Sequence, residues 1–141
     1  METKKIIVET TVKAPVEKVW EYWTEPTHIT KWNTASEEWH TPYAENDLKV
    51  GGKFLSRMEA KDGSFGFDFG GVYDDVRLNE GIGYTLEDGR KVTINFIRQG
   101  DETKVIETFD AENSNPIEMQ EAGWQAILDN LKKYINNSKE A

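Results

Sequence analysis

Between Ile117 and Ile135 apolar side chains recur at helical spacing. Ile117, Trp124, Ile127, Leu128, Leu131, Tyr134 and Ile135 fall on one face, and Glu118, Gln125, Asp129, Lys132 and Asn136 on the other. Asn115 suits an N-cap, Pro116 the first helical position, and Glu118 completes a pattern like a capping box. A helix from Pro116 to Asn137 would run about 33 Å at the normal helical rise. An apolar stripe of that length has to be buried, so the rest of the chain must supply a surface long enough to receive it.

The only candidate for that surface is a sheet. Ile6, Val8, Thr10 and Val12 alternate with Ile7, Glu9, Thr11 and Lys13, a period-two pattern rich in β-branched residues. Ala14-Pro15 ends it, and Val16, Val19, Trp20 and Trp23 then recur at helical spacing. Glu25-Pro26 breaks that helix and starts another carrying Ile29 and Trp32. Strands are expected over 36–44, Lys53–Ala60, Phe65 toward Val76, Ile82–Leu86, Lys91–Arg98 and Lys104–Asp110. Asn46–Gly52, Lys61-Asp62-Gly63, Glu87-Asp88-Gly89 and Gln99-Gly100-Asp101 supply turn chemistry between them. Consecutive hairpins give an antiparallel meander rather than a parallel sheet, and Gly70-Gly71 marks a bulge or sharp bend in it. The expectation is an α+β chain, one domain over residues 1–141. It has a curved antiparallel sheet of six or seven strands around a long C-terminal helix, with two short helices after the first strand.

Composition removes several function classes. Lys and Arg total 17 against 26 Asp and Glu, a net charge of -9. That balance argues against nucleic acid, which needs cations at its phosphates, and against an anionic membrane surface. With no cysteine there is no disulfide, thiol nucleophile or thiolate metal site. Met1–Lys5 is charged and unlike a signal peptide, and no stretch is apolar enough to span a membrane, so a cytoplasmic location is expected. Five Trp, five Tyr and six Phe stand out instead, rings that bring large contact area to a core or a pocket.

Ala14-Pro15-Val16-Glu17-Lys18-Val19-Trp20, Glu25-Pro26 with Lys31-Trp32, Val50-Gly51-Gly52-Lys53-Phe54, Gly71-Val72-Tyr73, and Gly123-Trp124 with Leu128 and Leu131 span nearly the whole chain. In that order they resemble the START-like, or Bet v 1-like, helix-grip fold, and within it the family related to the C-terminal domain of the activator of Hsp90 ATPase. The resemblance implies a cavity between helix and sheet, used across the superfamily for lipids, sterols, polyketides and other apolar molecules. It does not imply one activity, since carriers and cyclases share the fold. The co-chaperone that names the family carries a further N-terminal domain for which 141 residues leave no room, so co-chaperone activity is not expected.

No catalytic constellation is legible. His28 and His40 lie twelve residues apart without a repeated ligand pattern and read as surface or helix-contact histidines, not a metal site. No Gly-x-Ser-x-Gly elbow places a nucleophilic serine. Gly51-Gly52 precedes a strand, so it supplies positive φ rather than a phosphate cradle. Phe65, Phe67 and Phe69 form a stripe that is either plain core or a cavity wall, while Asp68 between them points to the opposite sheet face. Arg57, Asn95 and Glu107 hold strand centres whose facing the pattern leaves open. Gln120 sits on the apolar helix face beside Gly123 and needs a partner in protein, water or ligand.

The reading that follows is binding of a small hydrophobic molecule, a lipid, sterol or flat aromatic, by a monomer or homodimer. Its cavity is expected to be lined by Trp20, Phe54, Met58, Phe67, Phe69, Phe96, Met119, Gln120, Gly123 and Ile127, with no cofactor and no metal. A cyclase or hydratase would use the same cavity and needs a deep ionisable group among Asp68, Arg57 and Glu107. A chaperone-associated protein-binding module would instead expose an apolar patch near Trp32 or Trp39.

Overall fold

The computed structural model describes residues 4–34 and 36–137; Met1–Thr3, which open the charged N-terminal stretch, lie outside them. In chain order come β1 (Lys5–Val12), α1 (Val16–Thr24), α2 (Pro26–Trp32), β2 (Trp39–Asn46), β3 (Lys53–Ala60) and β4 (Gly66–Arg77). They are followed by β5 (Gly81–Leu86), β6 (Lys91–Gln99), β7 (Glu102–Asp110) and α3 (Ile117–Asn136). The strands make one antiparallel sheet of seven in the order β1-β7-β6-β5-β4-β3-β2. The fold is α+β, a curled half-barrel with the long helix across its hollow face.

Strand β1 and strand β2 therefore lie at opposite edges, and the two short helices carry the chain from one to the other. Glu25 is extended at φ -82° and ψ 124°, as the residue before Pro26 is sterically obliged to be. It ends α1 and caps α2 at once. Strand β2 starts three residues later and ends two later than the sequence pattern predicts, because 36–38 form a bend and turn.

The meander's bends differ in place from the expectation. The register slips between Tyr73 and Asp75, not at Gly70-Gly71. The glycines serve a close approach instead. A Cβ on Gly71 would stand 2.3 Å from the Thr85 carbonyl oxygen, and one on Gly70 2.6 Å from that of Phe54. Gly51 does adopt a positive φ of 87°, and its neighbour Gly52 has room for no side chain beside Asp47.

Helix α3 seats at one end of the hollow. Leu128, Leu131 and Ile135 are buried against the β1 side of the sheet, with Ile6, Val8, Val12, Val92, Val105 and Phe109 in the same core. Trp124 stacks on Phe109 with centroids 3.8 Å apart and planes 11° from parallel. Gln125 bonds the free edge of β1 in both senses, its Nε2 donating to the Glu9 carbonyl at 3.0 Å and its Oε1 accepting the Glu9 N–H at 3.4 Å. Asn136 Oδ1 accepts the Lys13 N–H at 3.0 Å, so an edge strand otherwise open to strange pairing is covered.

The start of α3 differs from the capping box the sequence suggests. Pro116, not Asn115, holds the N-cap position, with no side-chain cap bond. Asn115 instead donates from Nδ2 to Glu112 Oε2 at 2.8 Å, and Glu112 Oε1 accepts the N–H groups of Ser114 and Asn115.

Leu131→Ala removes a side chain with no exposure and is expected to cost about 2–5 kcal/mol in urea unfolding. Gln125→Ala, whose bonds lie at an exposed edge, is expected to cost about 1 kcal/mol or less in the same measurement.

Candidate functional site

The part of the sheet that α3 does not reach is hollow. A cavity of about 420 Å³, open to solvent on one side, lies between β2–β5, the C-terminal part of the helical pair and the N-terminal half of α3. Alternation sets its floor. Phe54, Ser56 and Met58 of β3 pair with Gly71, Phe69 and Phe67 of β4, and all point inward. Tyr73 pairs with Tyr84 in the same way. Phe54 packs edge-on to Tyr84 at 4.6 Å and against Tyr73 at 5.3 Å.

The roof is Gly123, Trp124 and Ile127, with Trp124 edge-on to Phe69 at 6.1 Å. Trp23, Ile29 and Trp32 close the back. Trp32 is fixed by its Nε1–H, which donates to the Tyr22 carbonyl at 2.9 Å. At the mouth Trp39 meets Phe65 and Phe67 edge-on at 5.9 and 6.0 Å, and Phe65 is 61% exposed.

Six of the ten residues expected in the wall are there: Phe54, Met58, Phe67, Phe69, Gly123 and Ile127. The other four are placed elsewhere. Trp20 and Phe96 pack edge-on to each other at 5.6 Å in the core beneath α1. Met119 is 60% exposed on the outer side of α3. Gln120 is buried but already satisfied. Its Oε1 accepts the Glu112 N–H at 2.9 Å, and its Nε2 donates to the carbonyls of Glu112 and Asn115 at 3.1 and 2.8 Å. It braces the loop before α3 rather than offering a group to the hollow.

Arg57 and Asp68 lie on the convex face and pair with each other at 3.2 Å, and Arg57 also pairs with Glu59 at 2.9 Å. His28 accepts or donates at Nδ1 to the Tyr134 hydroxyl at 2.8 Å, while His40 lies near Glu59 on β2. Among the described residues no three His, Cys, Asp or Glu side chains cluster as a metal site.

Glu107 is the residue whose facing the pattern left open and whose position matters most. It points inward from β7, is 5% exposed and lines the cavity. Its side chain has no hydrogen-bond or ion-pair partner among the described residues, and burial alone pushes its pKa up to about 8. No fully enclosed side-chain polar atom lacks a partner among the described residues, so the Glu107 carboxyl must open onto the cavity space. The Tyr84 hydroxyl is in the same position, its pKa raised first by burial and then by the nearby charge of Glu107. A signal for Glu107 exists in the sequence: it shares parity with Val105 and Phe109, which have to face the core.

Against this geometry the known proteins can be set. A family model described as activator of Hsp90 ATPase homolog 1-like protein matches residues 13–136. The chain belongs to this family. Within it, an AHSA1-like protein from Aeromonas hydrophila is 42% identical over 98% of both chains, with a TM-score of 0.90. A protein from Cytophaga hutchinsonii is 59% identical over 94% of this chain and 92% of that one, with a TM-score of 0.82. A protein from Chromobacterium violaceum, 23% identical over 96% of this chain and 99% of that one at a TM-score of 0.83, shares the fold. No curated protein matches the chain. The family places the chain in the START-like and Bet v 1-like fold and is compatible with ligand-binding and with chaperone-associated roles. Among the described residues no helix is long and apolar enough to cross a membrane.

The raised pKa of Glu107 sets a sign for stability. The folded chain keeps a proton that the unfolded chain releases above its ordinary value of 4.5. Stability from this group is thus full below that value and is lost as pH rises through about 8, at up to about 1.4 kcal/mol per pH unit. Glu107→Gln keeps the shape and cannot ionise. Its stability in denaturant relative to the wild type is expected to be near parity at about pH 4, to grow up to about pH 8, and to level off above.

Proposed function

We propose that the chain binds a small hydrophobic molecule in the cavity under α3. One observation supports this above the rest: a hollow of about 420 Å³ is left open in a chain this small, and nine of its twenty lining residues are aromatic. Closing it with larger side chains would stabilise the fold by recovering packing, so an open apolar hollow is a feature a pure scaffold would lack. Affinity would come from burial of the ligand's apolar surface, at about 25 cal/mol per Å². The half-exposed rings of Trp39, Phe65 and Phe67 at the mouth would give an apolar ligand its first contact.

Flat aromatic or sterol-like molecules fit the slot better than long acyl chains, because ring faces and edges wall it on several sides. A cytoplasmic, monomeric or homodimeric carrier is the corresponding cellular picture. A second reading, a chaperone-associated module, draws on the family and on the exposed aromatic cluster at Trp39 and Phe65. It makes that cluster a protein contact and leaves the hollow behind it unused. The cyclase reading keeps Glu107 and loses Arg57 and Asp68, which face away from the hollow.

Gly123→Leu separates these readings. A Cβ at Gly123 meets nothing within 4 Å and Gly123 lines the cavity, so a leucine there is expected to grow into the hollow. Leaving glycine in mid-helix costs about 0.5–1 kcal/mol, so thermal unfolding should show a variant at least as stable as the wild type. Its affinity for a flat apolar probe such as ethylnaphthalene, followed by tryptophan fluorescence, is expected to fall at least about ten-fold. Unchanged probe binding would locate the ligand elsewhere.

A further inference from the structure

Two polar side chains without a hydrogen-bond partner among the described residues share the cavity floor. Glu107 of β7 stands opposite Ile94 and Tyr84 of β5 opposite Val92, so both flank β6 at adjacent levels. Val92 and Ile94 are the β6 residues that separate them in register. The effect of Glu107 charge on the Tyr84 hydroxyl places the two groups within electrostatic reach. Their neighbours are engaged: the Tyr73 hydroxyl donates to Asn46 Oδ1, and Arg90 Nε donates to Asp88 at 2.8 Å.

Resting on the cavity reading, we propose that Glu107 and Tyr84 form an oxygen-binding subsite that receives the carbonyl of a flat aromatic ligand, each side chain donating its O–H. Burial keeps the Glu107 carboxyl protonated at neutral pH, so it has a hydrogen to give. Tyr84 stays a phenol for the same reason. Of the remaining ionisable groups of the wall, Tyr73 on β4, Glu45 on β2 and Glu112 after β7 carry no positive charge. Arg90 after β5 is bonded to Asp88 and lowers the Tyr84 pKa slightly against the larger effect of burial, but leaves Glu107 governed by burial alone. Two donors on the wall of one cavity, either side of β6, match an acceptor oxygen with two lone pairs. An ammonium head suits the position less well, since it would require Glu107 to ionise in a site that opposes charge. Both donors are costly to leave unpaired, which makes the subsite selective against a ligand lacking the oxygen.

Three probes of one size decide it: acetylnaphthalene, ethylnaphthalene and naphthylethylamine, titrated into the full chain by calorimetry at neutral pH. The ketone is expected to bind about ten-fold more tightly than the hydrocarbon, and the amine more weakly than the ketone. The infrared carbonyl stretch of bound acetylnaphthalene should fall below its value in an apolar solvent. Glu107→Leu and Tyr84→Phe should each cut the ketone preference about three-fold and move the stretch back upward. If either variant fails to fold, the wild-type carbonyl frequency still decides: an unshifted stretch overturns the subsite. Equal binding of ketone and hydrocarbon, or tightest binding of the amine, also overturns it and leaves the cavity reading standing. Failure of all three probes to bind overturns both.

Discussion

Everything in this molecule depends on where α3 comes to rest. A helix of twenty residues is narrower than the hollow of a seven-stranded sheet, so it can cover only part of it. Its seat is fixed at one end, by the stack of Trp124 on Phe109 and by the paired bonds of Gln125 to Glu9. Tyr134 with His28, and Asn130 Nδ2 with the Thr34 carbonyl at 2.7 Å, tie it to α2 and the segment after it as well. Held at the β1 side, α3 cannot also lie on β3 and β4. The hollow follows from that geometry and from rings too rigid to collapse into it, not from any weakness in the core.

The polar accounting around the hollow supports the same division. Gln120 gives all its hydrogen bonds to the loop before the helix, and Asn46 spans between the Thr24 carbonyl, at 2.7 Å, and the Tyr73 hydroxyl. These are satisfied groups that hold walls in place. Glu107 and Tyr84 have no such partner among the described residues, and a buried carboxyl without one costs on the order of kcal/mol. A valine there would fold at least as well, as Val8 does directly opposite on β1 and Val105 two residues back on β7, both on the same face. The stability given up at Glu107 is therefore tied to the hollow rather than to the fold.

Much of the fold could be read from the sequence because it is carried by periodicity. The β1 alternation, the hairpin turns and the α3 stripe each specify an element locally, and the order of elements leaves few ways to pack them. The misplacements are where local chemistry had rivals. Asn115 looked like a cap, yet Glu112 three residues earlier takes its side chain and the adjacent N–H groups. Trp20 and Phe96 looked like wall because large rings suit both core and pocket; only tertiary placement decides between them. Trp23, three positions from Trp20, faces the hollow instead. The pattern misses Tyr84, and leaves the facing of Glu107 open, for another reason. Each sits in an apolar run, and a polar residue within one can mark either a sheet's outer face or a site.

Helix α3 carries these two roles on adjoining stripes that meet at Trp124. Trp124, Leu128, Leu131 and Ile135 step by four, three and four residues, one continuous ridge packed on the β1 side. Gly123 and Ile127, four apart and one position behind that ridge, turn toward the hollow. Because neighbouring stripes differ by about 100° around the helix, a side chain can change in the second without disturbing the first. Glycine at 123 makes the point sharply. It is an unfavourable residue in mid-helix, no backbone angle requires it, and no neighbour crowds the position. What its missing side chain preserves is space. The same helix that closes the core thus leaves an uncrowded position on the wall of the cavity that Glu107 and Tyr84 also line.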